Sequence, residues 1–265
     1  MTRLLSGVVL ALAALALVWL SSDLIFLMVV AGVLLLAFGE YATLSRASGL
    51  NVPETPAALA AVLTAAAFSR LAYPISWVSL DIIVMAAFVV LGMLTLTNWR
   101  EGPDAVGLAS SALFPVFYLG LPFGAVIAIR EAEGREVLLL MIFTVVVSDT
   151  AQLYSGRLFG RRPLAPAISP KKTIEGAVGG FIFGALFFAA AGFWWLPDWS
   201  VAIRAAIGVV IVAAGMAGGL FESMLKRSAD VKDSSSLIPG HGGILDRVDA
   251  MLFVAPVYYI ILKFV

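Results

Sequence analysis

At 265 residues, 62% hydrophobic and only 13% charged, with a mean hydropathy of +1.03, the chain is too apolar for a soluble domain, in which about half the residues are apolar. Its formal net charge is zero, so bulk charge singles out no partner. There are no cysteines and one histidine, which excludes disulfides, thiolate metal sites, cysteine nucleophiles and a multi-histidine metal site within one chain.

A helix needs roughly 20 apolar residues to cross a hydrocarbon layer of ~30 Å. Taken in order, the apolar segments run over 3–20, 23–44, 56–70, 76–97, 105–129, 136–156, 173–196, 201–228 and 245–264. They predict an all-α, polytopic integral membrane protein with about nine transmembrane helices and a single transmembrane domain over 1–265. The first segment outlasts the ~7–15 apolar residues of a secretory signal and a second follows at once, so it reads as a retained helix. The third is short and alanine-rich. The fifth carries Pro115 and Pro122, which predict kinks. The helices within 1–135 carry little chemical information; the chemistry lies in 145–250.

Orientation follows from Lys and Arg in short loops. Arg157, Arg161, Arg162, Lys171 and Lys172 lie between segments six and seven; Lys226, Arg227, Lys232 and Arg247 lie between eight and nine. Both loops are expected on the cytoplasmic side, with the N-terminus inside and the C-terminus outside. Arg46 and Arg100 agree; Arg130, Arg135 and Arg204 do not. In segment seven, Gly176, Gly180 and Gly184 recur every four residues, a spacing that lets helices approach closely.

The chemistry-bearing residues gather in the same two loops. Ser223, Lys226, Arg227 and Asp230 share one helical face by their spacing, and Glu222 lies four residues from Lys226. Lys232 and Asp233 follow, then His241 between glycines in "PGHGG", then Asp246 and Asp249, which share a face of the last segment. The bland reading is a solvated loop of paired charges. The sharper one is a hard-cation site: Mg2+ takes one or two carboxylates plus substrate phosphates, with Asp246, Asp249 and Asp233 as ligands. Lys226, Arg227, Lys232 and Arg247 would clamp phosphate oxygens. In "ISPKKTIEG", Ser169 reads as an N-cap and Pro170 as the first helical residue. Lys171 and Lys172 then fall in a first turn, where the helix dipole disfavours cations unless an anion binds. Asp149 lies inside an apolar segment, three residues from Gln152 on one face. An intramembrane carboxylate is costly and points to a partner or a watery cavity. His241 reads as a structural or phosphate-contacting residue at least as well as a general base.

The run Ser223, Lys226, Arg227, Lys232, Asp233, Ser235, Ile238, Pro239, His241, Gly242, Gly243, Asp246, Arg247, Asp249 resembles the signature of the phosphatidate cytidylyltransferase (CDP-diacylglycerol synthase) family at every specified position. Upstream, "SDTAQLYSGRLFGRRPLAPAISPKKTIEGAVGG" resembles that family's second shared region, with Gln152-Leu153-Tyr154 where relatives often have Ala-Tyr. The resemblance covers 145–250 strongly and the earlier helices only in character. It implies that CTP and phosphatidic acid give CDP-diacylglycerol and pyrophosphate in a bacterial inner membrane, by attack of the lipid phosphate on the CTP α-phosphorus. It implies Mg2+, leaving open a second, monovalent cation, and a homodimer in the lipid bilayer, with no nucleic acid partner. The roles that follow are metal binding by Asp246 and Asp249, with Asp233 or Asp149 assisting, and substrate binding by Ser223, Lys226, Arg227, Lys232, Arg247, Lys171, Lys172 and Asp149. The catalytic group is Asp246, Asp249, Lys226, Arg227 and His241. Two rivals differ in testable ways. A CTP-dependent lipid kinase would release CDP. A transporter would place charge at the bilayer midplane within internal repeats, whereas here most charge is expected at one face of the membrane and no repeat is evident.

Overall fold

The computed structural model describes residues 2–72, 79–99, 104–238, 240 and 242–264. Ten α-helices and one small ribbon are found among them: α1 Thr2–Leu20, α2 Asp23–Ala47, α3 Glu54–Ala66, α4 Leu80–Asn98, α5 Ala105–Pro115, α6 Leu121–Ala132, α7 Arg135–Phe159, β1 Pro163–Ala165, β2 Ser169–Thr173, α8 Ile174–Trp195, α9 Val201–Ser228 and α10 Leu245–Phe264. Each of the nine apolar segments corresponds to a helical run, α5 and α6 forming one run through a π-helical stretch at Val116–Gly120. By length and composition, six runs among the described residues can cross a membrane: α2, α4, α5–α6, α7, α8 and α9. Helix α3 has 13 residues, a rise of ~20 Å, short of the hydrocarbon thickness. Helix α10 is 20 residues long, but its first two turns carry Asp246, Arg247 and Asp249.

The change to π-helix after Pro115 has a local cause. Proline has no N–H to give to the carbonyl four residues back, here that of Ser111. The Tyr41 hydroxyl, arriving from α2, donates to that carbonyl at 2.9 Å. A buried carbonyl is thus re-satisfied by a neighbouring helix, as the apolar surroundings require.

Helix α10 is the hub. It packs on α9 and α6, with smaller contacts to α7 and α2. Its Leu245, Val254, Ala255 and Tyr258 are fully buried, and Tyr258 meets Phe188 of α8 edge-on at 5.8 Å. An aromatic cluster of Phe114, Tyr118, Phe221 and Phe253 joins the π-helical stretch to α9 and α10, with centroids 4.8 to 6.0 Å apart. The α7–α8 pair is the most extensive in the molecule. Its closeness depends on glycine: a Cβ at Gly176 would stand 2.8 Å from the Gln152 carbonyl oxygen, and one at Gly180 2.5 Å from the Gln152 side chain.

The start of α8 differs from the expectation. Ser169 and Pro170 do not open the helix; Ser169–Thr173 is strand β2, paired antiparallel with β1, with Pro163 opposite Thr173 and Ala165 opposite Ser169. The N-cap is Thr173, whose hydroxyl accepts from Gly176 N–H at 3.1 Å. The Glu175 carboxylate takes the N–H groups of Arg161 and Arg162 at 3.0 and 3.2 Å. That leaves an all-α fold with one short ribbon, and it puts Lys171 and Lys172 on a strand rather than in a helical first turn.

Two of the three dissenting arginines lie inside the fold and the third is tied to it. Arg130 and Arg204 are buried. Arg135 donates to the Trp19 carbonyl at 2.7 Å.

Candidate active site

One cavity of about 590 Å³ collects residues from both polar loops: Asp149, Gln152 and Arg157 of α7, Lys171 and Lys172 of β2, Gly219 of α9, and Asp246 and Asp249 of α10. Lys171–Lys172 and Asp246–Asp249 therefore face one space, as the sequence argument required. The lining holds three cations and three carboxylates.

The carboxylates are not equivalent. Asp246 is saturated: Oδ1 receives the Lys226 ammonium at 2.5 Å, and Oδ2 accepts from Ser234 N–H at 3.0 Å, Ser234 Oγ at 2.9 Å and Gly243 N–H at 2.8 Å. Lys226, buried at 9% exposure, also pairs with Glu222 one turn earlier on α9. Lys226 thus stands behind the wall, clamping α9 to the start of α10. Asp249 gives one oxygen to Ala250 N–H at 2.8 Å, and Asp149 gives one to the Gln152 amide at 3.0 Å. The other oxygen of each forms no hydrogen bond among the described residues. Lys172 forms none either, and its Nζ would stand 2.8 Å from a Cβ added at Gly219, which in turn would be 3.1 Å from Asp249 Oδ2. The missing side chain at Gly219 keeps this part of the cavity open.

The other expected site residues fall elsewhere. Ser223 donates to the Gly219 carbonyl within its own helix at 2.7 Å. Arg227 reaches the backbone carbonyls of Ile168 and Val231 at 3.4 and 3.2 Å, tying α9 to the ribbon turn. Lys232, Asp233 and Arg247 are exposed and outside the cavity lining. His241 lies outside the described residues. Sequence reasoning overlooked Arg157, Thr173 and Gly219 as lining residues. Thr173 had a signal, being a cap-type residue three before a glycine. It overlooked Glu40 as well, a buried carboxylate on α2 that binds the segment leading into α10.

Among the described residues, no three His, Cys, Asp or Glu side chains cluster closely enough to hold a metal by themselves. Two carboxylates with an unengaged oxygen, Asp149 and Asp249, line the cavity. That set fits Mg2+, which typically takes one or two carboxylates and fills its octahedron with water and substrate phosphate oxygens.

A cavity lined by three cations and three carboxylates, set among helices long and apolar enough to cross a membrane, defines an integral membrane protein with a charged pocket. The chain belongs to the cytidylyltransferase family, whose profile matches residues 1–265. It is similar to a phosphatidate cytidylyltransferase of Staphylococcus haemolyticus, 32% identical over 228 residues covering 86% of each chain. It is also similar to that of Staphylococcus aureus, 35% identical over 187 residues and 70% of each chain. With the Aquifex aeolicus protein of the same name it shares 41% identity over 149 residues, 56% of this chain and 55% of that one.

Proposed function

We infer that the chain catalyses the reaction for which these relatives are named: a phosphate oxygen of phosphatidic acid displaces pyrophosphate from the α-phosphorus of CTP, giving CDP-diacylglycerol. The observation that carries this reading is the single cavity shared by Lys171, Lys172, Asp149, Asp246 and Asp249 in a member of this family. Both substrates are polyanions. Bringing them together requires cations on the wall, and phosphoryl-type transfer is driven mainly by positioning and electrostatics.

Lys171, Lys172 and Arg157 bind phosphate oxygens and offset their mutual repulsion. Asp149 and Asp249 would hold Mg2+, which supplies charge neutralisation on the phosphate oxygens when bound. Asp246, locked by Lys226, Ser234 and Gly243, fixes the start of α10 and so the direction of Asp249. Exposed Lys232 and Arg247 draw the nucleotide toward the opening. The chain sits in the inner membrane of a bacterium with this opening on the cytoplasmic side, where CTP is found, and works as a homodimer. The basic residues of both loops support that orientation.

The test is purified protein with phosphatidic acid, Mg2+ and CTP labelled at the α-phosphate, followed by lipid extraction. The expected result is label in the lipid phase with one pyrophosphate per lipid, lost when EDTA removes the metal. Release of CDP with a newly phosphorylated lipid would make the protein a kinase instead.

A further inference from the structure

Glu40 stands in the apolar helix α2, 194 residues before its first partner in the loop that precedes α10. It is buried, at 6% exposure. Each of its oxygens accepts one hydroxyl and one backbone N–H: Oε1 takes Ser235 Oγ at 2.7 Å and Ile244 N at 2.9 Å, and Oε2 takes Ser234 Oγ at 2.8 Å and Leu245 N at 2.7 Å. The two N–H groups belong to the start of α10, where the first turn has no intrahelical acceptors and a negative charge is favoured. The two hydroxyls belong to the far end of the same loop. One carboxylate thus closes the loop onto the helix that carries Asp246 and Asp249. Ser234 extends the link, because its hydroxyl also lies 2.9 Å from Asp246 Oδ2. A hydroxyl has one proton, so it donates to either carboxylate in turn while its oxygen stays between them.

We propose that Glu40 is a positioning residue for cytidylyl transfer, resting on the function inferred above: it ties Ser234 and Ser235 to Ile244 and Leu245 and so sets the angle at which Asp246 and Asp249 enter the cavity. Glu40 is not part of the cavity lining and acts through the residues it holds. The α2 helix becomes part of the catalytic apparatus although the motif lies wholly in the C-terminal half.

The chain lacks cysteine, so Leu237→Cys, at a position 54% exposed in this loop, takes a single spin label. Glu40→Ala is expected to mobilise the label and to lower kcat about tenfold or more, as loss of a buried charged acceptor shared by four donors implies. Glu40→Gln keeps one carbonyl oxygen but turns its NH2 toward a backbone N–H, and should fall between Glu40→Ala and the parent in both readouts. Ser235→Ala should lower kcat a few-fold alone and add nothing in the Glu40→Ala background, since the two remove the same link. Glu40 variants within about twofold of the parent kcat, an unchanged label spectrum, or effects that multiply in the double variant would each overturn the proposal. Should Glu40→Ala not fold, Ser235→Ala decides alone: unchanged label and unchanged kcat reject it. Label mobility needs no turnover, so a wild-type protein inactive on CTP and phosphatidic acid would reject the inferred function and leave this test standing.

Discussion

Two polar assemblies at opposite ends of the bundle are built on opposite plans. At one end Arg130 is 3% exposed and its guanidinium is nearly saturated. It donates to the Val18 carbonyl at 3.1 Å, to Asp23 at 2.8 Å, and to the carbonyl and hydroxyl of Ser21 at 2.5 and 3.2 Å, with the Phe26 ring 4.4 Å away. At the other end Asp149, Asp249 and Lys172 face a cavity with valence left over among the described residues. A polar group buried with all its partners is architecture: it staples the α1–α2 turn to α6. A lining that keeps unspent donors and acceptors is a place for something else to bind, because only a ligand or water relieves the cost of leaving them apart.

Breaking the cavity end should give the largest effects on turnover. Asp249→Asn is expected to lower kcat by about a thousandfold with Tm close to the parent, since one oxygen of Asp249 has no protein partner to lose. Asp246→Ala should also cost several orders of magnitude, and in addition destabilise by about 3 kcal/mol because Lys226 and two backbone N–H groups lose their acceptor. Denaturation in detergent alongside a steady-state assay separates the two; equal stability in both variants would erase the distinction drawn between these aspartates. Lys172→Met should reduce kcat/KM for CTP about a hundredfold, by loss of one cation from the proposed phosphate site. Gly219→Ala should give about a tenfold loss, its methyl crowding the Lys172 ammonium and Asp249; Gly92→Ala, with nothing within 4 Å, should gain a few tenths of a kcal/mol and keep full turnover. At the other end, Arg130→Met should lower stability by about 2 kcal/mol and leave turnover per folded molecule unchanged. A loss of turnover there, with folding intact, would show that the staple communicates with the cavity.

The helical segments were legible because apolar runs of sufficient length have few alternatives in a membrane. The α8 start was misread because two cap-type residues, Ser169 and Thr173, compete, and Pro170 favours the wrong one. What decides is the pairing of β2 with β1 across a short turn, a contact that helix signals do not encode. The lysines reach the cavity all the same, but as strand residues. At the cavity, charge spacing found the pair Asp246 and Asp249 and the intramembrane Asp149. It treated Asp233 and Asp246 alike, although one is exposed and the other enclosed by four donors, because saturation depends on loop geometry. Glu40 was within reach. The reasoning that singled out Asp149, a carboxylate alone in apolar sequence, applies equally to "LLLAFGEYATL"; only its partners, far along the chain, were invisible. Of the arginines that broke the charge rule, Arg130 and Arg204 are buried cations rather than loop cations, which charge counting along a sequence does not distinguish.

The bond between Tyr41 and the Ser111 carbonyl carries a consequence for how this chain can vary. The pyrrolidine ring at 115 creates a vacancy on a backbone oxygen, and the phenol at 41 fills it, so neither residue is independently replaceable. Tyr41→Phe is harmful only while position 115 lacks an amide proton, and a chain that regained that proton would release position 41 to drift. Covariation between these two sites among descendants, rather than invariance of either, is the trace such a dependency leaves.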